Sequence, residues 1–186
     1  MFDQNSNELQ AFRSCSRLQP LNDNSKLVFH AVRLFNTALG RGRLARIKRF
    51  FTHASGRLLD LNDMPGLQMR AQHYGGLRAV ALKKICGSLG RTSDFDCDFN
   101  PLDSRLRNRW QCIAMAFLHH RYLDPVELIQ VDGCYFVKDG HHRISVARAL
   151  GQSDIDAEVT IWEIPQTLPE VEQPVGFNIQ SAPTCL

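Results

Sequence analysis

Apolar residues recur at Leu27, Val28, Ala31, Leu34, Phe35, Ala38 and Leu39. That spacing is helical, and Ser25 can cap the helix it predicts. Gly40 and Gly42 interrupt the pattern, and a second helical stretch is expected over about residues 43–51, with Leu44, Ile47, Phe50 and Phe51 on one side. Residues 60–66 (DLNDMPG) read as a loop, and Tyr74-Gly75-Gly76 as the entry to the next domain. Residues 77–85 (LRAVALKKI) predict a short strand and turn, followed by the glycine-bearing loop 87–91. A helix is expected over about 104–119, with Trp110, Ile113 and Phe117 on its apolar side. Residues 126–131 are strand-like, Asp132-Gly133 is a hairpin turn, and 134–138 is the return strand. Asp139-Gly140 then turns the chain into a helix of about 143–150, which Gly151 stops. A final strand over 155–162 completes the pattern.

This alternation predicts an α/β (α+β) fold, a small mixed sheet with helices preceded by a helical basic arm. The expected divisions are a disordered N-terminus over 1–24, the arm over 25–75, the α/β domain over 76–164, and an acidic, proline-rich tail over 165–186. A chain of 186 residues, 44% of them hydrophobic, is long enough to bury a core. No apolar run approaches the roughly 20 residues of a spanning helix. The first twenty residues are polar and predict no export signal. Six cysteines without a C-x-x-C pair read as reduced thiols of a cytoplasmic protein.

Charge divides the chain sharply. Residues 24–59 hold eight Lys or Arg and no Asp or Glu; the remainder holds 14 basic and 19 acidic residues, a balance of −5. From Ala149 onward there are six acidic residues and no Lys or Arg. Such asymmetry bears on partners rather than on fold.

The chemistry concentrates at residues 135–151, YFVKDGHHRISVARALG. A strand delivers the chain to a glycine turn and a helix begins at once. The unpaired amides of a first helical turn, with the positive end of the helix dipole, suit an anion. Gly140 allows a ligand close to the backbone, while His142 and Arg143 add donors suited to phosphate. The plain alternative is a surface helix that His and Arg merely decorate.

Residues 125–163, with their DGHHRISVARALG core, resemble the ParB/sulfiredoxin superfamily, specifically bacterial ParB-like proteins with a V-x-D-G-H-H-R-x-S-V-A-R-A-x-G signature. Residues 82–91 (LKKICGSLGR) resemble the same group's L-x-x-I-x-G-S-x-G-R element. The likeness covers about 76–164. It implies a small α/β fold in which the 140–143 turn faces a nucleotide phosphate or a nucleic-acid backbone. The phosphate-binding set is then Gly140, His141, His142, Arg143 and Ser145, with Ser88 and Arg91 on the facing loop. Two departures bear on activity. Sulfiredoxins carry Gly-Gly-Cys-His-Arg at this turn, and His141 stands in the place of their reactive Cys, which argues against sulfinic-acid repair. Partitioning ParB proteins resemble Gly-Glu-Arg-Arg here and continue into a helix-turn-helix domain, for which the 35 residues after Gly151 leave no room.

Other patterns are weaker. Adjacent helical histidines point roughly 100° apart, so His119-His120 and His141-His142 predict no metal site. Asp94-Phe95-Asp96-Cys97-Asp98 lacks the Gly and Glu of a calcium loop. The basic arm has three readings: a solvated helix face, a grip on nucleic-acid phosphates through Arg41, Arg43, Arg46, Lys48 and Arg49, or an anionic membrane contact. The leading expectation is a cytoplasmic domain that binds ATP or CTP, with Mg²⁺, or a nucleic-acid phosphate. The alternatives are a nucleotide hydrolase or nuclease using His142 or His141 in proton transfer, and a non-catalytic module for a protein partner or homodimer.

Overall fold

The computed structural model describes residues 24–52, 58–64 and 71–164. Nine elements follow in order: α1 (Asn24–Thr52), β1 (Leu59–Asp60), β2 (Ala71–Ala81), β3 (Ile85–Ser88), α2 (Arg107–Leu118), β4 (Val126–Val131), β5 (Cys134–Asp139), α3 (His141–Ala149) and β6 (Asp154–Glu163). Single 3₁₀ turns at Leu61–Asp63, Leu82–Lys84 and Ser104–Leu106 join some of them. The expectations for residues 1–23, for 65–66, for the side chains of Arg49, Phe50 and Phe51 and for the 165–186 tail lie outside the described residues.

The fold is mixed α/β. Its six strands form one sheet in the order β1-β3-β5-β4-β6-β2. The β4–β5 hairpin and the β2–β6 pair are antiparallel, while β1–β3, β3–β5 and β4–β6 are parallel. One face of the sheet presents Leu128, Tyr135, Val137, Ala157 and Val159, buried with Ile144 and Ala147 of α3 and with Phe95 and Phe99. Ile129, Val131 and Phe136 occupy the other face and meet Leu61. A third cluster stacks the helices, placing Ala31, Phe35 and Ala38 of α1 beside Trp110 and Ile113 of α2 and Val146 of α3.

The hairpin forms where expected, and Asp132 and Gly133 both take positive φ (47° and 83°), the pairing that matches strand twist. Several elements differ from expectation: Asp60 and residues 87–88, expected in loops, end strands β1 and β3, and β2 starts at Ala71 rather than 77. The two predicted N-terminal helices are one helix of 29 residues. Gly42 does not break it; a Cβ there would sit 2.6 Å from the Pro101 carbonyl, so the glycine marks where the helix meets the 100–102 loop. Gly40, with open space around it, costs only about 1 kcal/mol relative to Ala. Tyr74-Gly75-Gly76 opens no new element but is a bulge inside β2, with Gly76 at φ +86°. Helix α3 starts at His141, two residues ahead of expectation.

Candidate functional site

Strand β5 ends at Asp139, and Gly140 at φ +95° redirects the chain into α3 without an intervening loop. Gly140 offers no side-chain cap. The first helical bond runs from the Ile144 N–H to the Gly140 carbonyl, 3.0 Å. The amides of His141, His142 and Arg143 therefore lie outside the helical ladder, at the positive end of the helix dipole. The space beside Gly140 is taken by the protein itself. A Cβ at that position would lie 2.5 Å from Val126 Cγ1 and 3.2 Å from Arg143 Nε. Gly140 thus permits close packing of β4 rather than the close approach of a ligand. Gly140→Ala is expected to lower stability by at least about 2 kcal/mol, from the left-handed φ and the overpacking together. Urea unfolding measures it.

Both histidines are buried. His141 Nε2 lies 2.6 Å from Ser88 Oγ, and its ring stacks on Phe95 with centroids 6.2 Å apart. His142 meets the same phenyl ring edge-on at 5.3 Å. Ser88 is held by the Gly90 carbonyl and lies 3.3 Å from the Val137 carbonyl. Its hydroxyl proton is directed to a carbonyl, so His141 Nε2–H donates to Ser88 Oγ, and His141 Nδ1 keeps a bare lone pair. Neither Nδ1 has a hydrogen-bond partner.

Burial sets the charge of the pair. It pushes His141 down to about 4, with the Arg91 guanidinium adding to the shift and Asp139 opposing it. His142 falls to about 3, through burial first and then through Arg109, Arg91 and His141. Two guanidiniums therefore bear on two imidazoles at a helix N-terminus. The carboxylates of Asp139 and Asp94 oppose them at His141. Arg91 itself sits at φ +56°, with Nε 3.7 Å from Asp94 Oδ2. The loop beneath is pinned by buried Asp96, whose carboxylate accepts from the amides of Asp98 and Asn100 at 3.0 and 2.7 Å. Phe95 and Phe99 turn inward from it. Among the described residues no group of three His, Cys, Asp or Glu side chains is arranged to hold a metal ion.

The expected site residues divide. Ser88, Arg91, His141 and His142 gather at the turn. Arg143 turns away: Nη2 pairs with Asp139 Oδ2 at 2.6 Å, and Nη1 donates to the carbonyls of Pro125, at 3.0 Å, and Asp124. It borders a separate cleft of about 640 Å³ shared with Arg121, Tyr122 and Asp156. Ser145 accepts from Trp110 Nε1 at 2.8 Å inside the helix stack. Arg41, Arg43, Arg46 and Lys48 are exposed on α1. Arg109 was not among the expected residues. Its place in the Arg105, Arg107, Arg109 run at the opening of α2 was the available signal, and only the docking of α2 on α3 brings it to the histidines.

Comparison with known proteins gives one modest likeness. The crystal structure of sulfiredoxin from Arabidopsis thaliana is similar over 45% of this chain and 82% of that one, at 24% identity and a TM-score of 0.35. No protein-family model matches the chain, and no curated protein matches its sequence.

Proposed function

We propose that the chain binds a phosphate-bearing ligand, a nucleotide or a nucleic-acid backbone, at the amides opening α3. One observation carries the reading: the amides of His141, His142 and Arg143 lie outside the helical ladder at that N-terminus, where Arg91 and Arg109 also act on the two buried imidazoles. An anion seated there would satisfy the first-turn amides and accept hydrogen bonds from a nearby guanidinium. The likeness of residues 82–91 and 125–163 to ParB-like proteins points the same way, with ATP or CTP and Mg²⁺ as the ligands it suggests. Arg143 then acts by position, tying the turn to β5 and to the 124–125 segment.

Hydrolysis is the second reading, with His142 or His141 in proton transfer. General acid–base groups work best with a pKa near the operating pH, and values of about 3 and 4 leave both imidazoles neutral and weakly basic. That favours binding over turnover. Calorimetric titration with nucleoside triphosphates tests the proposal. Arg91→Ala and Arg109→Ala should each weaken binding by about 1.5–3 kcal/mol, the range for hydrogen bonds to charged groups, with circular dichroism unchanged. Affinity indifferent to both substitutions would remove the assignment.

A further inference from the structure

Helix α1 has a second face that packs against nothing described. Its inner side is spent on the core, where Ala31, Phe35, Ala38 and Leu39 are buried. Yet Phe29, Leu44 and Ile47 remain 64%, 54% and 55% exposed. Helical geometry places Gly40, Leu44 and Ile47 in one row, at i, i+4 and i+7. Exposed Arg43 flanks that row on one side, and exposed Arg41 and Lys48 flank it on the other. No Asp or Glu occurs in the helix. Beside the row, a groove of about 190 Å³ is lined by His30, Arg33, Thr37 and Arg41 and closed by Ala149 of α3. Its polar groups are two guanidiniums, an imidazole and a hydroxyl.

We propose that this outer face docks on an anionic phospholipid surface, with Leu44 and Ile47 entering the interface and a headgroup phosphate seated in the groove. Aliphatic side chains at the centre of a cationic face decide between partners. A nucleic-acid backbone would engage the arginines and leave Leu44 and Ile47 without a matching surface. A bilayer interface takes both, since acyl chains accept the ridge while flanking cations reach the headgroups. The helix would lie along the surface, as no described helix is long and apolar enough to cross a membrane. The inference goes beyond the phosphate reading and uses none of its residues.

The test is flotation of the full chain with vesicles of phosphatidylcholine alone and of phosphatidylcholine mixed with phosphatidylserine. Salt-sensitive binding to the mixed vesicles alone is expected. The Leu44→Ser/Ile47→Ser variant keeps every charge and should partition about tenfold less, the effect of removing two inserting aliphatic groups. Arg41→Gln/Arg43→Gln should lose binding as well, whereas Arg109→Ala should keep it even if nucleotide binding fails. These surface variants should melt like the parent chain. No partition into the mixed vesicles, or equal partition of the serine variant, overturns the proposal. So does duplex DNA binding that depends on the arginines alone, without vesicle binding. A concentration-dependent dimer abolished by the serine variant, again without vesicle binding, would assign the face to a second copy of the chain.

Discussion

Acidification from pH 6.5 toward 4 is expected to cost the fold several kcal/mol of stability, before most carboxylates titrate. His141 and His142 leave an ordinary value of 6.5 and fall to about 4 and 3 in the folded chain. Between those limits the unfolded chain binds more protons than the folded one, so stability is fully present above 6.5 and drains away as the pH falls. At about 1.4 kcal/mol per pKa unit, His141 alone accounts for on the order of 3 kcal/mol. Asp96 works in the opposite sense, because burial raises its carboxyl; acid relieves that penalty and offsets part of the loss. Urea midpoints measured across the window check the expectation, and His141→Asn/His142→Asn should flatten the dependence. A midpoint indifferent to pH would place the imidazoles in solvent and remove the electrostatic basis of the site. Inorganic phosphate bound beside the rings would raise their pKa values and move the acid limb to lower pH.

Trp110→Ala is expected to destabilise the chain by about 3–5 kcal/mol, the range for deleting a large buried aromatic side chain. Trp110 is fully buried. It meets Phe35 of α1 edge-on with centroids 5.5 Å apart and donates to Ser145 of α3 at 2.8 Å. One indole thus joins all three helices. Trp110→Phe should cost less, since it keeps a ring against Phe35 and gives up the donor. In a double-mutant cycle with Phe35→Ala, the losses should fall short of additive by about 0.5–1.5 kcal/mol, as expected for an aromatic pair. Strict additivity in guanidinium unfolding would show that α1 does not depend on this contact.

These residues also show what the sequence could and could not convey. The β4–β5 hairpin was legible because two short apolar runs flank an Asp-Gly turn, and both strands are largely buried. Helix α1 was legible as helical but not as continuous, because a glycine reads as a break unless its tertiary neighbour, here the Pro101 carbonyl, is known. The first half of β2 carried no signal, since Ala71, Gln72, His73 and Tyr74 are all exposed and no buried face imposes a period of two. At the site, the strand–glycine–helix turn was visible in the motif. The direction of the side chains was not. Arg143 and Ser145 were drawn off by Asp139 and Trp110, partners set by packing. Arg109 reached the histidines from a helix more than thirty residues away in sequence.

The bulge in β2 has a further consequence. This strand borders the sheet for eleven residues, contains no proline and includes no acidic residue or lysine. Such a border is an open template on which a neighbouring molecule could lay a strand of its own. The irregularity at Gly75-Gly76 shifts the register midway and divides the border into two short lengths that a straight incoming strand cannot match together. The same two glycines that bend the chain thereby guard it against stacking edge to edge.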